Sequence, residues 1–71
     1  MTQSFKRIAT VEFSINGTDQ TVTINDLPYI WVVAEGSMDQ SAIFNAKDWA
    51  RKHLDFPKGL TVICVTTSPN H

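Results

Sequence analysis

The chain has 71 residues, 42% hydrophobic and 18% charged, with six Lys+Arg against seven Asp+Glu. That length supports one small core and excludes a two-domain enzyme. No apolar run approaches the ~20 residues of a membrane helix, and a net charge of −1 argues against a strongly basic nucleic-acid coat.

Phe5 to Ile15 alternates, with Ala9, Val11, Phe13 and Ile15 separated by Thr10, Glu12 and Ser14. Period two predicts a half-buried strand over 5–15. Asn16-Gly17 comes next, and both residues tolerate the positive φ of a type I′ hairpin turn. With those two as the loop, Ile15 opposes Thr18, Val11 opposes Val22 and Ala9 opposes Ile24. A longer loop that shifts the pairing by two keeps the same faces together. The second strand is predicted over 20–25, with Val22 and Ile24 on one face. Asn25-Asp26-Leu27-Pro28 has turn chemistry, because Asn and Asp bond their own backbone and Pro has no N–H for a ladder. Tyr29 to Ala34 is apolar throughout, which predicts a third strand over 29–34 with cover on both faces.

Ser37 and Gln40 have the spacing of a capping box, and Asp39 stands in the first turn, where the helix dipole favours negative charge. Ala42, Ile43, Ala46, Trp49, Ala50, His53 and Leu54 fall within roughly 140° of arc at 3.6 residues per turn. This predicts a helix over 38–54, with Trp49 in the core, Asp48 paired to Lys52, and Pro57 and Gly59 as its stop. Leu60 to Thr66 predicts the last strand, Leu60, Val62 and Cys64 on one face and Thr61, Ile63 and Val65 on the other. Residues 67–71 are expected to form a polar tail.

The whole is a single small α+β domain, β-β-β-α-β, with a four-stranded mixed sheet and one helix packed on one face. The last strand is expected to run parallel to the first and third. The apolar third strand favours a central place for it and the order 1-2-3-4; the alternative is 4-1-2-3.

The single cysteine, Cys64, cannot make an internal disulfide, and Met1 to Arg7 contains no apolar leader segment. Both point to a cytoplasmic location. Cys64, His53 and His71 lack the spacing of a zinc site, so no metal is expected. Cys64 and His53 could in principle make a nucleophile and base. A cysteine in mid-strand is more often inert core, and a histidine on the inner helical arc more often structural. No phosphate loop, metal motif or nucleophile elbow accompanies them. The sequence therefore predicts no enzyme, no cofactor and no small-molecule substrate.

Two surfaces remain for a partner. One helix covers one face of a sheet, so an open face around Tyr29 and Trp31 is expected. Phe44 lies roughly 160° from Ala46 on the helical wheel, among Gln40, Lys47, Asp48 and Arg51, where an aromatic is a candidate anchor. Partner-binding candidates are thus Phe44, Gln40, Lys47, Arg51, Tyr29 and Trp31. The basic residues Lys47, Arg51, Lys52 and Lys58, which Lys6 and Arg7 could join in space, are explained more simply by the helix dipole and solubility than by a phosphate patch. The reading is a small interaction module that binds and occludes a protein partner, of the kind common among phage and mobile-element accessory proteins and inhibitors of host systems. A nucleic-acid-associated module and a self-associating structural protein, a homodimer for instance, are the alternatives. No membrane partner is expected.

Overall fold

The computed structural model describes residues 3–55 and 58–70. It contains strand β1 (Ser4–Ile15), strand β2 (Thr21–Val32), helix α1 (Met38–His53) and strand β3 (Leu60–Pro69), with a short 3-10 turn at Val33–Glu35. The α+β class holds. The sheet, however, has three strands in the order β2-β1-β3, and both pairings are antiparallel. β2 and β3 are parallel to each other with β1 between them, so β2-α1-β3 is a split β-α-β unit.

The expected second and third strands are one. Asn25-Asp26-Leu27-Pro28 does not reverse the chain; it bulges it. Ala9 pairs with Leu27 and Val11 with Ile24, which leaves Thr10 opposite two residues, Asn25 and Asp26. Asp26 takes the left-handed φ of 53° that Asp tolerates, and its N–H donates to Thr10 Oγ1 at 3.4 Å. Pro28 fits because β2 is an edge strand, with one side free of ladder bonds. Merging the two strands also reverses the expected direction of the helix and of the last strand. β3 is antiparallel to β1, lies beside it, and runs on to Pro69 through the expected tail.

The hairpin uses the longer loop. Val11 opposes Ile24 and Phe13 opposes Val22, two residues from the two-residue-loop register and with the same faces inside. Thr18 N–H donates to Ile15 O at 3.1 Å, closing a turn in which Gly17 has φ 84°. Asn16 does not share that positive φ, so the turn is not type I′. Its groups serve β3 instead. Its N–H donates to Gly59 O at 3.1 Å, its side-chain amide donates to Lys58 O, and its Oδ1 accepts from Thr61 Oγ1 at 2.7 Å.

A second bulge lies in β3. Glu12 pairs with Cys64 and Phe13 with Val62, so Ile63 is the extra residue. Leu60, Val62 and Val65 turn inward, while Ile63 and Cys64 turn out. The expected faces of this strand therefore exchange Cys64 for Val65.

α1 begins in the predicted capping box. Ser37 Oγ accepts from Gln40 N–H at 3.2 Å and Gln40 Oε1 accepts from Ser37 N–H at 3.4 Å. Gly36, at φ 139°, leaves room for that arrangement; a Cβ there would meet Gln40 Oε1 at 2.9 Å. The last turn holds Arg51, Lys52 and His53. Leu54 caps the helix and Gly59 turns at φ 85°, while Pro57 lies outside the described residues. Lys52 pairs with Asp48 at 3.1 Å as the spacing predicts, though both side chains are well exposed, and such pairs contribute about 0.5 kcal/mol or less.

The core is Ala9, Val11, Phe13, Ile24 and Tyr29 from the sheet against Ala42, Ala46 and Ala50 from the helix. Alanines four apart let the helix backbone come close to the sheet. Trp49 does not join them: it is 36% exposed and stacks on His53 with ring centroids 4.5 Å apart. Because the approach is close, Ala46→Leu should overpack the interface and destabilise the fold by about 1–3 kcal/mol in urea unfolding.

Candidate functional site

The open face of the sheet is not aromatic. Tyr29 and Trp31 lie on the helix side because the bulge at Asn25-Asp26 puts Leu27, Tyr29 and Trp31 in the inward row. Tyr29 is 5% exposed and its hydroxyl donates to Met38 O at 3.2 Å. Trp31 Nε1 donates to Gly36 O at 2.9 Å, and its ring lies 5.5 Å from that of Phe5. These two side chains latch the β2–α1 connection. The face away from the helix carries the cross-strand pairs Thr10–Thr66, Glu12–Thr23, Glu12–Cys64, Ser14–Thr21 and Ser14–Thr61. The same face also carries Ile8 opposite Pro28, Ile30 opposite Lys6, and the outward Ile63, with Ile30 51% and Ile63 53% exposed. It is a mixed polar and aliphatic surface, which corrects the expectation of an aromatic face waiting for cover.

The helix gives a different result. Phe44 is 72% exposed, the highest exposure among the large apolar side chains described. Its ring borders a shallow concavity of about 340 Å³ with Glu35, Gln40 and Ser41. Lys47 and Arg51 border a second, of about 270 Å³, with Asn16, Gly59 and Leu60. At 100° per residue, Gln40, Phe44, Lys47 and Arg51 fall within roughly 60° of one another and form one stripe along the helix. Leu60 begins β3, so the Lys47–Arg51 end of the stripe stands beside the start of that strand, while Phe44 stands over the helix's outer side with Glu35. The stripe is acidic at its start, where Glu35 stands, aromatic in its middle and basic at its end.

The expected candidates thus separate. The structure gathers Gln40, Phe44, Lys47 and Arg51 on one surface and removes Tyr29 from any surface. Of the basic residues, Lys58 joins Lys47 and Arg51 at the hairpin end, its chain packed over Gly17. Lys52 turns aside to Asp48. Lys6 and Arg7 lie at the opposite end of β1. Arg7 has a structural role that no sequence pattern signals. It stands in the helix-facing row opposite Tyr29, donates from Nη2 to Thr67 Oγ1 at 3.0 Å, and has a buried Nε without a partner among the described residues.

Among the described residues, no three His, Cys, Asp or Glu side chains converge as metal ligands would. Cys64 and His53 stand on different layers, Cys64 on the open sheet face and His53 on the helix beside Trp49. Among the described residues no helix is long and apolar enough to cross a membrane. No family model, curated protein or solved structure matches the chain.

Cys64 is exposed, contrary to the expectation of a core thiol. It should therefore react with an aromatic disulfide reagent in the native protein, without denaturant. A thiol that reacts only on unfolding would contradict its placement.

Proposed function

We propose that this protein is a non-enzymatic interaction module that binds and occludes a protein surface through the stripe Gln40, Phe44, Lys47 and Arg51. The observation that carries the reading is Phe44, a phenylalanine 72% exposed in the middle of a well-formed helix. Full burial of such a side chain stabilises by about 1.5–3 kcal/mol, a gain that the fold does not take and a partner can. Around it stand an amide and two cations, the residue types that orient an anchor and satisfy its rim. Glu35 and Gln40 shape a concavity next to the ring, so the surface offers a projection and a recess together. The helix itself is held firmly by its cap, its alanine contacts and the Tyr29 and Trp31 latches, and rigidity limits the entropy lost on binding.

A module of this kind acts sterically. It needs no catalytic group, and it fits the role expected of small phage or mobile-element accessory proteins that block a host component. Tyr29 and Trp31 contribute by positioning the helix rather than by touching the partner. The reducing, cytoplasmic setting expected from the lone cysteine is compatible with this role.

Affinity capture from cell lysate tests the reading. Proteins retained by the wild-type chain should be lost with Phe44→Ala and kept with Thr23→Ala, which alters only the sheet face away from the helix. Capture that ignores Phe44 would overturn it. Binding to oligonucleotides that weakens steeply with salt would replace it by the nucleic-acid reading, through Lys47, Arg51 and Lys58.

A further inference from the structure

The Phe44 stripe changes sign along its length. Glu35 stands at its start. The concavity at its other end is bordered by Lys47 and Arg51 with Asn16, Gly59 and Leu60, and by no carboxylate among the described residues. Lys47 and Arg51 lie one helical turn apart, and like charges at that spacing repel. Asp48, beside Lys47 in sequence, does not relieve them, because its carboxylate goes to Lys52 at 3.1 Å. Lys47, Arg51 and Lys58 make no ion pair among the described residues.

The helix dipole explains only part of this cluster. Its effect falls off within the last turn, which holds Arg51, Lys52 and His53. Lys47 stands before that turn, and Lys58 is not on the helix. Lys58 is held by other means. Its carbonyl accepts from the Asn16 side-chain amide at 3.1 Å, and the next carbonyl, Gly59 O, accepts from Asn16 N–H. Its side chain crosses Gly17, where a Cβ would stand 2.7 Å from Lys58 Cδ. Asn16 thus ties Lys58 to the hairpin and also borders the concavity of Lys47 and Arg51. A chain of net charge −1 therefore gathers three cations without a local counter-charge at one end of its most exposed aromatic.

An occupant that completes this surface is apolar opposite Phe44 and anionic opposite the cations. The change of sign chooses between kinds of anion. A nucleic-acid strand carries a phosphate at every step, so one laid along the stripe would bring negative charge over Glu35 as well. A protein segment can be acidic at one end only. The spacing suits a peptide too. Along the helix axis Lys47 and Arg51 lie about 4.5 and 10.5 Å from Phe44, a distance that about one to three residues of extended chain cover.

We infer that the partner presents an acidic segment: an apolar side chain set against Phe44 in the recess of Glu35, Gln40 and Ser41, with aspartates or glutamates within about three residues of it over Lys47, Arg51 and Lys58. This rests on the reading that the Phe44 stripe is an interface, and it names the chemistry of the occupant.

Selection from a ribosome-displayed library of random peptides, with the full chain as bait, tests it. The enriched peptides should share an apolar residue with acidic residues close by on one side, and their affinity should fall about tenfold or more from low to high salt. Phe44→Ala should weaken them about tenfold or more, and so should Lys47→Gln combined with Arg51→Gln. Lys47→Glu combined with Arg51→Glu should reverse the selection and enrich basic residues at the same positions. A thermal melt shows that each variant is folded. A library that yields no peptide, peptides that enrich without acidic residues, or binding that ignores the charge variants overturns the acidic partner. If capture from lysate still depends on Phe44 in that case, the interface reading survives alone; if it does not, both fall. A single-stranded oligothymidylate that binds more tightly than the selected peptides, and loses its hold with Lys47→Gln and Arg51→Gln, overturns the inference in favour of nucleic acid.

Discussion

The hydrogen-bonded backbone of β1 is the constraint on which the rest of this domain depends. Among the described residues it is the one strand paired on both sides, and its twelve residues set the register of both neighbours. Ala9, Val11 and Phe13 on its inner face are fully buried. Side chains the size of Val11 and Phe13 each contribute about 1.5–3 kcal/mol when buried. With the strand fixed, the helix has one place to lie. Its three inward alanines let it settle over β1, and the larger side chains of β2 and β3 close the flanks.

Both irregularities in the sheet are departures from β1, and each decides what the surface looks like. The bulge opposite Thr10 moves β2 from an even inward row, Val22 and Ile24, to an odd one, Leu27, Tyr29 and Trp31. That switch is present in the sequence as a change of parity across Asn25-Asp26. It reads as a chain reversal because those residues, followed by Pro28, carry turn chemistry, and a left-handed Asp in a bulge has the same signature. The bulge at Ile63 leaves no such trace. Leu60 to Val65 offers an apolar or small side chain at nearly every position, so alternation there has no contrast. Strict alternation therefore puts Cys64 inside and Val65 outside, the reverse of the structure.

Local signals are more faithful where a single physical cause dominates. The capping box needs only Ser37 and Gln40 at the right spacing, and it forms. The Asp48–Lys52 pair needs only one helical turn, and it forms. Phe44 needs only the phase of the helix, and it is outside. Trp49 shows the limit of that phase. It lies on the flank of the apolar arc, and the alanines bring the helix too close to the sheet for an indole to fit beneath, so the ring lies against His53. The candidate surface is therefore legible in its helical half and not in its sheet half, where Tyr29 and Trp31 stand on a segment apolar on both sides.

The sequence separations of these contacts imply an order of assembly. Trp31 reaches Gly36 and Tyr29 reaches Met38, five and nine residues away. Arg7 reaches Thr67 across sixty. Closing a long loop costs more chain entropy than closing a short one. The hairpin and the latched helix can therefore organise while β3 is still absent, and of these elements β3 is also the last to leave the ribosome. Until it arrives, one whole side of β1 carries unpaired backbone groups beside Val11 and Phe13. A chain whose β3 has yet to pair would have its central strand as an edge, and the docking of one uncharged segment ends that exposure.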